Sequence, residues 1–275
     1  MSHSNDGVAE YYDSHQFFYT HFWSPTALHY GFWYKDTRTL AEAITNANKY
    51  VVDALAIDSR DVVLDAGCGV GGTSLYIAET TSARVEGVTL SRVQLNIAKK
   101  KAAQSNVARL LNFSRQDYRY TNFADATFSV VFAIESVCHA VKKDEFLKEA
   151  YRVMKPGGRI AIVDAFLTKE DLTSEERRIY ARSISGWAVP NLASRDQFLE
   201  FLAQARFKNV IFKDMQRCIW RSVRRIYYYS WLTYPINLVK VGLGITSVNN
   251  AARYQKHLFE RKIAAYGVFI ARKPS

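Results

Sequence analysis

The stretch VVLDAGCGVGG, residues 62–72, sets the fold of this chain. Its apolar start predicts a buried strand over 62–67, too short for a helix and running straight into glycines. GTSLYIAE predicts a helix over 72–79 immediately behind them. Glycines between a strand and a helix permit a tight turn and close approach of backbone to a ligand. The helix start behind the turn offers free N–H groups. Gly67, Gly69 and Gly72 also fit the dinucleotide pattern GxGxxG, so the loop alone leaves the ligand open, and a packing turn with no ligand is the third reading. Two features separate these readings. Asp65 stands at the strand end, where a carboxylate suits an ammonium or sulfonium better than a pyrophosphate. The next strand ends Gly87-Val88-Thr89-Leu90-Ser91, without the acid that a dinucleotide ribose calls for.

Outward from this stretch, strands and helices alternate. ARVEGVTL (83–90) predicts a strand and SRVQLNIAKKKAAQ (91–104) a helix with Ser91 as N-cap. Further strands are expected at 110–117, 128–135 and 159–166. A helix over 143–154 is closed by Pro156-Gly157-Gly158. Such alternation predicts a parallel sheet with helices on both faces. Upstream, Leu40, Ala43, Ile44, Ala47, Val51 and Leu55 recur at helical spacing and predict a helix over 39–56. Residues 8–34, rich in Tyr, Phe, Trp and His, read as an N-terminal lid. Downstream come helices at 173–187 and 195–204 and strands at 207–216 and 264–273. Between the last two strands lie roughly 45 residues, far beyond an ordinary loop. This aromatic, basic insert predicts a helical cap over the carboxyl edge of the sheet, where open α/β folds bind ligands. The expected architecture is therefore an α/β, Rossmann-like seven-stranded sheet. Residues 1–56 form the lid, 57–167 the cofactor-binding core, and 168–275 the acceptor-binding cap with the last two strands.

Composition narrows the class. The 275 residues suffice for one large domain with a real core. With 48% hydrophobic residues, disorder is not expected. The 37 Lys and Arg against 26 Asp and Glu leave +11, which favours anionic partners or a solvated basic surface. Cys68, Cys138 and Cys218 are scattered, which argues against a disulfide framework. No His/Cys pair has metal-ligand spacing, so no metal is expected. The polar start carries no apolar signal segment. No stretch is long enough to span a bilayer; Trp231 to Ile245 comes nearest but contains Pro235 and Lys240. A cytoplasmic protein is the expectation.

With VVLDAGCGVGG go VEGVTLS, SRQD, FSVVFAIESVCHA and YRVMKPGGRIAIVDAF, in that order. Together these resemble the class I S-adenosylmethionine-dependent methyltransferases over about residues 60–275. GVTLSRVQ, AIESVCHA and the leader's HYGFW are most similar to the branch of sterol C-methyltransferases, tocopherol methyltransferases and cyclopropane fatty acid synthases. The resemblance implies S-adenosylmethionine as cofactor. Asp65 and the loop Gly67, Cys68, Gly69 and Gly71 would surround its methionine part. Thr89, Leu90 and Gln94 would lie along the ribose and adenine, although Thr89 replaces the usual ribose-binding acid. Gln116 and Asp117 would border the adenine. Ala133 to Glu135 would lie near the transferred methyl.

Methyl transfer from a sulfonium is an in-line displacement that requires alignment, exclusion of water and, for some acceptors, removal of a proton. Glu135 follows an apolar run, and a buried acid there needs a partner. It reads as the leading catalytic carboxylate, or as a structural hydrogen-bonding group. His139, one helical turn on, reads as a base or a structural histidine, and Cys138 as a packed small residue. Tyr19 and Tyr30 are candidate cation-stabilising aromatics. Tyr12, Phe18, His29 and Trp33 stand beside them in the lid, with Trp187, Tyr227, Tyr228 and Trp231 as similar candidates. In the insert, Trp220, Val223, Tyr227, Trp231 and Tyr234 form an apolar stripe beside a stripe of Arg221, Arg224, Arg225 and Tyr228. That pairing fits an amphiphile's head group, peripheral contact with an anionic membrane, or a solvated cap face.

The reading favoured is C-methylation of an alkene in an isoprenoid or sterol-like lipid. The alternatives are O-, N- or aromatic-C-methylation of a small natural product. An RNA methyltransferase is disfavoured because no RNA-binding module is appended and the basic residues are dispersed, so no nucleic acid is expected. The expected partner is a small lipophilic substrate, and the reading leaves room for a homo-oligomer.

Overall fold

The computed structural model describes residues 5–232 and 248–275, apart from the side chains of residues 5, 6, 18, 22 and 248–250. Tyr234, Pro235 and Lys240 of the insert, and the side chain of Phe18, lie outside the described residues.

The leader folds as α1 (Asn5–Phe18), running into a π-helical turn at Tyr19–Trp23. Helix α2 (Leu40–Leu55) starts where Thr39 accepts the N–H of Glu42, and it buries Ala43, Ile44, Ala47, Val51 and Leu55. The core then alternates: β1 (Val62–Ala66), α3 (Gly72–Thr81), β2 (Arg84–Thr89), α4 (Arg92–Ala103), β3 (Leu111–Arg115), β4 (Phe128–Ile134), α5 (Lys143–Val153) and β5 (Met154–Leu167). Ser91 caps α4 by accepting the N–H of Gln94, as its position predicted. Helices α6 (Ser174–Ile184) and α7 (Arg195–Gln204) lead to β6 (Lys208–Asp214). The insert carries α8 (Gln216–Leu232) and α9 (Val248–Glu260), and β7 (Ala264–Arg272) closes the sheet.

The seven strands lie in the order β3-β2-β1-β4-β5-β7-β6. Strands β1 to β5 are parallel, while β7 runs antiparallel to both β5 and β6. The sheet is thus mixed rather than wholly parallel. The cause is the insert: it leaves β6 and returns to β7 at the same carboxyl edge, so β7 must run back across the sheet. A second departure is at Pro156-Gly157-Gly158, expected as a turn after a helix. The segment stays in the sheet: Met154 pairs with Phe128, and the register shifts before Arg159 pairs with Val130. Gly157 absorbs the irregularity at φ +75°.

Alternation along β4 sends Val130 and Phe132 into one core layer and Val131 and Ala133 into the other. The first layer is completed by α2, α8 and α9, the second by α5 and α7. Helix α8 is rotated relative to the expected stripe. Its buried face is Ile219, Ser222, Val223 and Ser230, whereas Trp231 is half exposed. Rings placed off that face are covered by cations: Arg253 lies 4.0 Å over Trp231 and Lys256 5.0 Å over Tyr227.

Candidate active site

Strand order reverses between β1 and β4, and a deep cleft opens at their carboxyl ends, as the switch-point rule requires. Lid, glycine loop, the turn after β4, α6 and α8–α9 all contribute walls.

Gly67, Gly69 and Gly71 all take positive φ, at +99°, +51° and +77°. A Cβ at Gly67 would lie 2.4 Å from that of Ser136. At Gly69 the nearest atom would be Leu28 Cδ1 at 3.8 Å, so this glycine presents open backbone to the cleft. Gly71 does not line the cleft; it turns the chain against Phe113. Asp65, 3% exposed, accepts a 2.6 Å hydrogen bond from Ser74 Oγ. Burial pushes its carboxyl up to about 7, and Ser74 opposes that only partly. A buried carboxylate with no cation paired to it among the described residues, beside a bare glycine backbone, fits the ammonium and sulfonium of S-adenosylmethionine. Cys68 is buried, which raises its thiol, and it lines the cleft.

Thr89, Leu90 and Gln94 line the cleft beyond the loop. Gln94 is shared with the lid: its Oε1 accepts from Thr89 Oγ1 at 3.2 Å and its amide donates to Gln16 of α1 at 3.2 Å. Asp13 of α1 also accepts from Ser91 Oγ and from the Val93 N–H. Asp117 lines the cleft but is gripped by Arg119, Nη2 to Oδ2 2.8 Å. Gln116 does not line it. Its amide donates to Ser114 Oγ at 2.8 Å and its carbonyl accepts from the Asn122 N–H at 2.7 Å, so it braces the loop after β3.

Glu135 follows β4 at φ +48°, an uncommon conformation for a side chain of this kind. Its Oε1 accepts from the Tyr30 N–H and from the Tyr266 hydroxyl, each at 2.7 Å. Burial drives its carboxyl up to about 8 against both hydrogen bonds. Asp164, which follows Val163 in β5, the residue whose carbonyl takes the Glu135 N–H, raises it further, and is itself pushed by burial to about 6. His139 donates Nδ1–H to the Ala188 carbonyl at 3.0 Å, which leaves Nε2 to accept from Tyr12 Oη at 2.7 Å. Burial lowers its pKa to about 4, so the ring is neutral.

Of the lid aromatics, Tyr11, Tyr12, His15, Tyr19, Trp23, His29 and Tyr30 line the cleft. Tyr11 and Tyr19 share a 2.7 Å hydroxyl contact. His29 is held by Asn48 and the Tyr30 carbonyl. Trp33 faces elsewhere, donating to Ser222 Oγ at 2.8 Å under the Arg221 guanidinium. Trp187 lines the cleft, while Tyr228 and Trp231 are exposed; among the described insert tyrosines, Tyr229 lines it. Sequence reasoning missed Tyr266, Asp164 and Tyr229. Asp164 carried a related signal, a single acid within the apolar strand RIAIVDAF. Tyr266 carried none, because its contact spans 131 residues of chain.

A seven-stranded sheet with antiparallel β7, a glycine loop after β1 and a carboxylate after β4 define a methyltransferase-type Rossmann domain. A methyltransferase domain model matches residues 64–162. An O-methyltransferase of Aspergillus nomiae, rstn1, is 30% identical over 191 residues, 69% of this chain and 84% of that protein. The chain therefore belongs to the class I S-adenosylmethionine-dependent methyltransferases. A sterol 24-C-methyltransferase of Saccharomyces cerevisiae is 32% identical over 213 residues, 77% of this chain. The chain spans only 55% of that relative's length. Among solved structures, the [4+2]-cyclase SpnF shares the fold with TM-score 0.81 at 22% identity, covering 98% of this chain and 96% of that one. A geranyl diphosphate C-methyltransferase from Streptomyces coelicolor A3(2) does so with TM-score 0.77 at 16% identity, covering 98% and 97%.

Proposed function

We propose that this chain transfers the methyl group of S-adenosylmethionine to an alkene carbon of an isoprenoid or sterol-like lipid. The observation that carries this is Glu135, a buried carboxyl held by Tyr30 and Tyr266 inside an aromatic cleft. Asp65 and the Gly67–Gly69 backbone would hold the cofactor, with Thr89, Leu90 and Gln94 beyond them. The cofactor supplies an electrophilic methyl group.

A neutral alkene that gains a methyl becomes a cation, and the walls suit one. The faces of Tyr19, Tyr30 and Trp187 each contribute roughly 0.5–2 kcal/mol when desolvated. Glu135 is mostly protonated in an empty cleft at neutral pH, and positive charge beside it favours the carboxylate. It then stabilises the cation as charge develops and takes the proton that must leave. His139 is the weaker base, because Nε2 already accepts from Tyr12; its part is to hold the Tyr12 hydroxyl at the cleft. The name of the yeast relative supports carbon as the methylated atom.

The test is incubation with isotope-labelled cofactor and a panel of prenyl and sterol acceptors, followed by mass spectrometry and NMR of the product. Methyl on carbon is expected, and methyl on oxygen or nitrogen refutes the proposal. Oxygen transfer is the second reading, favoured by the better-covered O-methyltransferase relative.

The division into a lid (1–56), a cofactor half (57–167) and an acceptor cap with the last two strands (168–275) follows from this reading. So does contact with an anionic bilayer surface through the end of α8. There Tyr228, Trp231 and Leu232 are exposed beside Arg224 and Arg225. No described helix is long and apolar enough to cross a membrane. A cytoplasmic protein that docks on the bilayer from that side is the location proposed; failure to co-sediment with anionic vesicles would rule the contact out.

A further inference from the structure

Lys143, the first residue of α5, is 4% exposed and does not line the cleft. Helix stability does not account for it. A cation at a helix N-terminus sits at the unfavourable end of the dipole, and the acids that suit that end, Asp144 and Glu145, follow it. Burying a charge also costs free energy unless protein oxygens replace its water. Here they do: Nζ donates to the carbonyls of Cys138 (3.2 Å), Ala140 (2.6 Å) and Asn191 (2.8 Å) and to Asn191 Oδ1 (2.6 Å). Burial lowers the pKa of the ammonium to about 8, and Asp164 opposes that.

The two segments joined in this way are the two that fix His139. One is the turn after β4, where Cys138, His139 and Ala140 line the cleft. The other is the loop 187–192. Trp187, Val189 and Leu192 of that loop line the cleft, and the Ala188 carbonyl takes the His139 Nδ1–H at 3.0 Å. Ala188 stands at φ +52°, a conformation an alanine keeps only where its surroundings impose it. Those surroundings lie just beyond it. Pro190 restricts the backbone, Asn191 is bound to Lys143, and the Leu192 N–H donates to the Tyr180 hydroxyl at 2.8 Å. Asn191 Nδ2 also donates to the Val141 carbonyl at 3.2 Å.

We propose that Lys143 is a positioning residue: its ammonium clamps the turn after β4 to the loop 187–192 and, through the Ala188 carbonyl, fixes the His139 tautomer that holds the Tyr12 hydroxyl at the cleft. Its effect on methylation rests on the acceptor site proposed above; its effect on His139 does not. The titratable groups facing the clamp are Asp164 and Cys138, and those facing His139 are Tyr12 and Lys143. Removing the ammonium takes a positive charge away from His139 and loosens the burial that keeps its ring neutral, and both effects raise its pKa.

The test is long-range proton–nitrogen NMR of the ligand-free full chain, isotope-labelled at histidine nitrogen. His139→Gln assigns the His139 signals among the six histidines. In the wild type, His139 keeps its proton on Nδ1 and stays neutral from about pH 5 to 8. Lys143→Met keeps the length of the side chain and loses its charge. Its His139 nitrogens average between tautomers and the ring titrates inside that window, while circular dichroism is unchanged. Single-turnover methylation falls about tenfold, with S-adenosylhomocysteine affinity unchanged. In a His139→Ala background the same substitution costs about twofold or less, because the residue it acts through is gone. Asn191→Ala keeps the lysine and loses one of its oxygens; it moves the His139 signals in the same direction by less, and decides the matter if Lys143→Met does not fold. The clamp is overturned if the folded variant leaves the His139 tautomer and titration as in the wild type. It is equally overturned if Lys143→Met costs as much in the His139→Ala background, or if S-adenosylhomocysteine affinity falls along with turnover. Methyl on oxygen, with the His139 signals moved as expected, sinks the proposed C-methylation and leaves the clamp standing.

Discussion

The Tyr266 hydroxyl lies 2.7 Å from Glu135 Oε1, so the last strand of the sheet holds the carboxylate at the end of β4. The two residues are 131 positions apart, and their contact exists only because β5 and β7 pair antiparallel and bring Tyr266 opposite Ala165. That single hydrogen bond lowers the pKa of a carboxyl that burial raises.

Tyr266→Phe removes the donor and therefore moves Glu135 further up from about 8. If the ionised carboxylate is the working form, turnover rises with pH through this group. The variant's profile then shifts to higher pH while its rate on the high-pH plateau changes little. A pH–rate profile of single-turnover methylation checks this; a uniform loss at every pH would make Tyr266 a packing residue only.

Glu135→Gln keeps the shape of the site and removes the base. Cofactor affinity should hold while single-turnover methylation falls by at least about 10². His139→Ala, which frees the Tyr12 hydroxyl, should cost less. A Glu135→Gln enzyme as fast as wild type would end the catalytic assignment.

Asp65 ties cofactor affinity to pH. Burial raises its carboxyl to about 7, so below that pH a cationic cofactor must first displace a proton. Affinity for S-adenosylmethionine should fall as pH drops from 8 to 6, and Asp65→Asn should bind weakly at both. Stability has the opposite sign. A carboxyl whose folded pKa lies above its unfolded value loses stability as pH rises through that interval, from about 4 to about 7. Asp65→Asn should therefore raise the melting temperature of the ligand-free protein at pH 8, measured by calorimetry. A lower melting temperature with unchanged affinity would show Asp65 to be structural.

Gly69→Val should fold and fail to bind. Space is open where the Cβ would go, the nearest atom being 3.8 Å away. The cost to the fold is the strain of a β-branched residue at φ +51°, on the order of 1–2 kcal/mol. The side chain would fill the approach to the loop's backbone. A small loss in melting temperature with no measurable S-adenosylhomocysteine binding is expected; tight binding would place the cofactor elsewhere.

Most of the sheet was legible because its signals are local. A glycine loop after an apolar strand, Ser91 before a helix and apolar periodicity in α2 each lie within a few residues of one another, and backbone preference decides them. The length of the insert was equally legible. Its rotation was not: the aromatic residues of α8 form a convincing apolar stripe, yet Ile219, Val223 and Ser230 face inward. Tyrosine and tryptophan rings accept a cation cover as readily as a core, so aromatic periodicity does not choose the buried face.

The sequence by itself determined the glycine loop, the acids at the strand ends and the family, because these depend on residue type at fixed spacing. The tertiary structure alone decided the partners of those acids. Which hydroxyl reaches Glu135 and which ring nitrogen of His139 keeps its proton follow from strand register and from lid and cap closing over one edge. Those contacts join residues 49 and 131 positions apart. At that separation no local propensity constrains a pair, and only the packing of the whole core fixes the distance between them.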